Sequence, residues 1–236
     1  RNKTLKFDNL KKIDESNEGF FKGVKLIINE KVNGVYGPVL SLIEIPEKFM
    51  TAIESALGNS LQDIVVDSGE TAKKCMTLLR EKNGGRASFI PLDLIKPQSI
   101  LFNVRQSDGI YGIASNLIKY DLNIKKAIDF VFDGILVVEN MNKALEVQKN
   151  GSFRGRIVTL EGDILATNGR MTGGEQAKSA SNLIFERKKE IKKLEDEIKE
   201  LNISYESKSK IYFEKNTNNN EKVKIGFNES NLPFYL

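Results

Sequence analysis

Apolar positions along the chain change period several times, and each change marks an element. Leu10, Ile13, Asn17 and Phe20 fall at spacings of three, four and three, a helical seam. It predicts either an amphipathic surface helix or the stump of a coiled-coil arm within residues 1–31. Lys25 to Ile28 reads as a brief apolar bridge into a folded domain. Val39 to Ile45 alternates as a strand does, and Pro46 then opens a helix through Phe49, Ile53 and Leu57 that Gly58 ends. Ile64, Val65 and Val66 form a short buried-strand run. Residues 70–82 carry a helical pattern stopped by Asn83, Gly84 and Gly85, and residues 87–90 predict another strand before Pro91. The same order then returns. Helices are predicted at 127–132 and 142–149, strands at 135–138 and 157–160, with residues 94–108 as connector.

The return is an internal duplication. Gly34-Val35-Tyr36-Gly37 recurs 75 residues later as Gly109-Ile110-Tyr111-Gly112. At the same offset Leu42-Ile43 matches Leu117-Ile118 and Ala52-Ile53 matches Ala127-Ile128. Past a small gap, Ile64 to Asp67 aligns with Leu136 to Glu139, and Gly85-Arg86 with Gly155-Arg156. Each copy reads strand, helix, strand, helix, strand. Two copies imply a pair of similar α/β subdomains, since a solenoid needs about three or more repeats.

After the second copy the chain becomes rich in glycine and poor in anything to bury. Gly169, Gly173 and Gly174 fall within six residues, alongside Asn168, Arg170, Met171 and Thr172. Glycine there supplies positive φ, or lets another backbone come close. A heptad pattern follows. Ile184, Ile191, Ile198, Tyr205 and Tyr212 recur every seven residues, and Leu194 and Leu201 stand three further on. This is an a/d seam with charged flanks, and a helix over 183–215 would be about 50 Å long. Nothing else in the chain is long enough to cover it, so it calls for the N-terminal helix or another segment as partner. Residues 216–236 form a polar tail rich in Asn, Lys and Glu.

Composition narrows the chemistry. The 236 residues include no histidine and one cysteine, Cys75, which removes the commonest general acid/base and argues against a zinc site or an internal disulfide. Cys75 lies on the apolar face of the 70–82 helix and reads as core. No phosphate-binding glycine loop precedes a helix, no nucleophile–base pair stands out, and no cofactor is expected. No apolar run approaches the ~18 residues of a membrane span, so no membrane partner is expected. A net charge of +4 permits a nucleic-acid partner without demanding one. The cations that stand out are Lys73, Lys74, Arg80, Lys82 and Arg86 on or after one helix, and Arg154, Arg156, Arg170 and Lys178 around the glycine edge. Aromatic residues do not interleave with them, so no base-stacking platform is expected.

Several of these stretches together resemble the hinge domain of the structural maintenance of chromosomes (SMC) proteins, bacterial condensin-type. The likeness runs through Gly34 to Gly37, Ala52 to Gly58, Gly85 to Asp93, Gly155 to Asp163 and Met171 to Gly174. The resemblance implies an α/β (α+β) hinge of two duplicated subdomains flanked by antiparallel coiled-coil helices. The divisions are an N-terminal stub at 1–31, subdomain I at 32–100, subdomain II with its glycine edge at 101–182, an arm at 183–215 and the tail at 216–236. It implies no catalysis in this fragment, because the ATPase heads of such proteins lie at the far ends of the arms, where kleisin and accessory subunits bind. It implies a homodimer through Asn168, Gly169, Met171, Thr172, Gly173 and Gly174. The arms would meet through Leu10, Ile13, Phe20, Ile184, Ile191, Leu194, Ile198 and Leu201. Weak, sequence-independent DNA contact is expected at Arg154, Arg156, Arg170, Lys178 and Arg187, in a cytoplasmic, nucleoid-associated protein. Two departures matter: Asn168-Gly169 replaces a glycine pair, and Lys178 alone remains of a lysine cluster. A hinge from a heterodimeric pair and an unrelated coiled-coil scaffold are the alternatives.

Overall fold

The computed structural model describes residues 2–96, 109–174 and 180–218. Most of the connector, the stretch 175–179 with Lys178, and the tail from 219 lie outside the described residues. The chain divides into two compact units, Arg1–Lys11 with Glu190–Leu236, and Lys12–Lys189.

The larger unit holds the duplication. In its first half, β1 (Val35–Pro38) leads through a 3-10 turn at Val39–Ser41 into β2 (Ile43–Glu44). A second 3-10 turn enters α3 (Met50–Leu57), which Gly58 closes with φ +51. Then come β3 (Ile64–Val66), α4 (Gly69–Glu81) and β4 (Phe89–Pro91). Ser68 caps α4 by accepting from the Thr71 N–H, and Asn83 takes φ 49 just beyond its end. The second half repeats this with β5 (Ile110–Ile113), β6 (Lys119–Tyr120), α5 (Lys125–Phe132), β7 (Ile135–Val138), α6 (Met141–Lys149) and β8 (Arg156–Thr159), then adds β9 (Ile164–Leu165) and β10 (Met171–Thr172).

The expected strand over 39–45 begins as a 3-10 turn at Val39–Ser41, and only Ile43–Glu44 of it is strand. Val39 and Leu40 are both fully buried, which a turn permits and an alternating strand does not. The strand lies earlier, at β1.

Sheet order is β1-β3-β4 in the first half and β10-β9-β8-β7-β5 in the second. In each, the middle strand of the repeat is antiparallel to its predecessor and parallel to its successor. The halves meet at a two-residue ladder, with Ile43 opposite Tyr120 and Glu44 opposite Lys119. At the offset of the duplication, residues 44 and 119 are equivalent, so an internal pseudo-two-fold axis passes between them. Further contacts join the halves beside this ladder. α3 packs on β8, where the Arg156 guanidinium donates to the Ala56 carbonyl. Lys126 of α5 in turn donates to the Leu92 carbonyl just after β4.

The N-terminal reading needs correction. α1 (Asn2–Glu15) ends before Phe20, and Asn17 turns the chain with φ 55. Phe20 is off the helix and 7% exposed, packed into the domain core with Val24 and Ile27 of α2 (Lys22–Glu30). The apolar bridge is therefore a nine-residue amphipathic helix of the domain. Its N-terminal end is held by the Phe21 N–H donating to Gln62 Oε1 at 2.7 Å. Residues 20–30 thus belong to the folded domain and not to an arm stub. Ile13 is exposed, while Leu10 is half-buried.

The long helix α7 spans Ala180–Asn218. Ile184 at its start is fully buried in the domain core with Phe185, so this heptad position serves the domain rather than an arm seam. In the smaller unit Leu194 is buried, Ile191 and Ile198 are half-buried, and Leu201 is exposed. Lys6 pairs with Glu190 at 2.6 Å and Lys3 with Glu197 at 2.8 Å, so here the two helices run antiparallel.

Candidate functional site

The two halves differ most at one place. β8 is covered on one side by β7 and on the other by β9, which β10 extends. Its repeat counterpart β4 has β3 on one side and, among the described residues, no strand on the other. Among the described residues the sheets end at β1 and β4 in the first half and at β5 and β10 in the second. β4 and β10 are the edges at which the repeats differ, each a row of backbone groups that a further strand could pair with.

Hydrogen bonds fix which residues face outward. Ile64 donates to the Ser88 carbonyl and Leu92 donates to the Val66 carbonyl, so residues 88, 90 and 92 turn towards β3. Phe89 and Pro91 turn away. Pro91 has no N–H, so Phe89 carries the single outward donor of β4. On the other edge, Ala166 donates to the Arg170 carbonyl, which turns residues 170 and 172 towards β9 and Met171 outward. Met171 and Thr172 are both exposed.

The glycines divide by what surrounds them. Gly169 (φ +83) and Gly174 (φ +111) have open space where a side chain would stand. Both need glycine for conformation and leave room beside the backbone. Gly173 is different: a Cβ there would collide with Asp163 Oδ1 of the same chain. Its bare backbone admits a close approach by a side chain of its own chain. Asn168 supports the hairpin turn, its Oδ1 accepting from the Arg170 N–H at 3.1 Å.

The expected DNA-contacting cations do not form one free cluster. Arg187 donates to Asp14 Oδ1 at 3.1 Å and to the Glu18 carbonyl at 2.6 Å, fastening α7 to the last turn of α1 and the turn after it. Lys189 pairs with Glu47 at 2.5 Å and holds its carboxyl below the usual range. Between them Lys188 is largely desolvated, which lowers its pKa. Sequence adjacency brought Arg187 to the glycine edge, but folding spends it on an acid 173 positions away. Arg154 and Arg170 are exposed, and Arg156 is taken up by the Ala56 carbonyl.

Arg154 and Arg156 line a cleft of about 550 Å³ between the halves, with Asp63, Asp133 and Thr167. Burial pushes the Asp63 carboxyl up, against a hydrogen bond with Ser88 that lowers it. The folded state then holds this proton more tightly than the unfolded chain. Stability from this group is lost as pH rises from the ordinary value of 3.8 through the raised one. Asp63→Asn should therefore melt higher than the parent at neutral pH and converge with it near pH 3–4, as thermal unfolding across pH would show. A variant that melts lower at neutral pH would contradict this.

The geometry can be compared with known proteins. A family model for the SMC proteins Flexible Hinge Domain matches residues 32–148. A Chromosome partition protein Smc of Fusobacterium nucleatum is 47% identical over 193 residues, 82% of this chain but 16% of that protein. The chain thus spans about one sixth of the length of this relative. The crystal structure of an asymmetric dimer of the Geobacillus stearothermophilus SMC hinge domain superposes with a TM-score of 0.78 at 31% identity, covering 86% of this chain and 83% of that one. A Pyrococcus furiosus Smc hinge domain with an extended coiled coil gives a TM-score of 0.56 at 27% identity, covering 90% and 82%. With the Fusobacterium match over most of its length, the chain belongs to the flexible hinge domain family of the SMC proteins.

Proposed function

We propose that this chain is the dimerisation module of a longer chromosome partition protein, joining two copies through β4 of one and β10 of the other. The observation that carries this is the mismatch between repeats: β8 has a hairpin on its flank and β4, among the described residues, has none. A two-fold arrangement would let each chain give a hairpin edge and receive one, closing two equivalent joints. The asymmetric dimer of the Geobacillus hinge supports self-association in this family. Sedimentation of the isolated chain tests it: a stable two-chain species is expected. A monomer at tens of micromolar would overturn homodimerisation in favour of a hinge that pairs with a different chain.

The longer protein would carry ATPase heads at the far ends of the arms, bind kleisin and accessory subunits there, and act on the chromosome in the cytoplasm. The hinge itself would touch DNA through phosphates, with Arg154 and Arg170, both exposed, and Lys178, which follows the glycine edge in sequence, as its cations. With about three phosphates neutralised, affinity should be roughly 10⁻⁴ to 10⁻⁶ M with a log–log salt slope of about −3. Arg170→Glu with Lys178→Glu should flatten that slope by about two and weaken all sequences alike. Fluorescence anisotropy at several salt concentrations would read this out. Unchanged binding would place the contact elsewhere.

A further inference from the structure

The hairpin of β9 and β10 is long on edge and short on anchors. Only two residue pairs join the strands, Met171 with Leu165 and Thr172 with Ile164. One end is closed by the turn, where Ala166 bonds Arg170 and Gly169 donates back to the Ala166 carbonyl. At the other end the ladder has run out of β9, because the next residue back is Asp163. Gly174 N–H points to that side, and Asp163 Oδ1 accepts it at 3.3 Å.

Asp163 is itself held firmly. Its N–H donates to Thr159 Oγ1 at 3.0 Å and its carbonyl accepts from the Thr159 N–H at 2.9 Å. Thr159 is fully buried. The preceding Gly162 (φ +93) lies so close to α3 that a Cβ would collide with Ser55 Oγ. The carboxylate thus stands on a fixed corner of the core, while the strand it grips is exposed on its other side. Gly173 beside it must lack a side chain for the grip to exist.

We propose that the Asp163 carboxylate is the positioning residue of the pairing edge. It substitutes for the missing third rung of the β9–β10 ladder and holds β10 extended with Met171 facing outward. This explains why Glu-Gly-Asp and Gly-Gly stand ten residues apart: the acid and the bare backbone are two halves of one clasp. The proposal rests on the dimer reading for its consequence, but the clasp can be measured separately.

The test compares Asp163→Ala, which removes the acceptor, with Asp163→Asn, which keeps Oδ1. Hydrogen exchange at the Gly174 amide reads the clasp, and sedimentation equilibrium reads pairing. In Asp163→Ala that amide should exchange at least about 10-fold faster, and the dimer dissociation constant should rise about 10-fold. The melting of the separated monomer should stay within a few degrees. Asp163→Asn should restore both readouts to within about threefold of the parent. Unchanged Gly174 exchange in Asp163→Ala overturns the clasp, whether or not the chain dimerises. Faster exchange with unchanged dimer affinity overturns its role in pairing. If Asp163→Ala melts much lower than the parent, Asp163→Asn decides: failure to restore exchange and pairing while folded overturns the proposal.

Discussion

Met171→Pro should convert the two-chain species to a monomer that remains folded. The outward position of Met171 means that proline there removes no rung of the β9–β10 ladder, only the donor offered to a partner. Edge strands tolerate proline for this reason. In a two-fold dimer the change acts twice, deleting two interchain hydrogen bonds and placing two rings against the partner's backbone. At roughly 1–1.5 kcal/mol per bond, the loss is on the order of 100-fold in dissociation constant, more if the rings clash. Met171→Ala keeps the backbone donor and should weaken pairing far less. Sedimentation equilibrium of the two variants separates backbone pairing from side-chain packing. If Met171→Pro dimerises as the parent does, β10 is not the paired edge.

Phe20→Ala should destabilise the larger unit by about 3 kcal/mol, the cost of emptying a core phenylalanine site. For a unit of this size that corresponds to a fall in melting temperature of roughly 6–12 °C. Ile13→Ala, at an exposed position, should cost no more than about 0.5 kcal/mol. The seam reading would give the two residues similar, modest effects. Thermal unfolding of the pair therefore decides whether Phe20 serves the core or an arm. Equal shifts would return it to the arm.

That pair also shows what the sequence could express. A helical seam and a turn followed by a core residue produce the same spacing, because Phe20 is apolar in either role. What distinguishes them is the backbone at Asn17, whose positive φ has no periodic signature. Ile64 to Val66, Gly58 and Asn83 were legible because their causes are local: a β-branched run, a C-terminal glycine and an asparagine tolerant of the left-handed region. Val39 and Leu40 misled because the sequence shows that both are apolar but not that both are buried, and adjacent burial is what separates the turn from an alternating strand. The candidate site was legible as a place but not as a mechanism. Three glycines looked alike in sequence, yet one faces its own chain's Asp163 and two face open space. Arg187 was placed by its neighbours in sequence, whereas its partner is Asp14, which no local pattern connects to it.

The ladder between β2 and β6 sets Glu44 opposite Lys119, and these are the same position in the two copies. A residue on the axis of an exact repeat must face its own duplicate. Glu would meet Glu, or Lys would meet Lys, and like charges directly opposite on neighbouring strands repel. In this chain the copies carry opposite signs there, so their divergence has turned a self-opposed position into a complementary one. The halves are consequently no longer interchangeable. A chain rebuilt from two identical copies of either half would bring like charges face to face at its own centre.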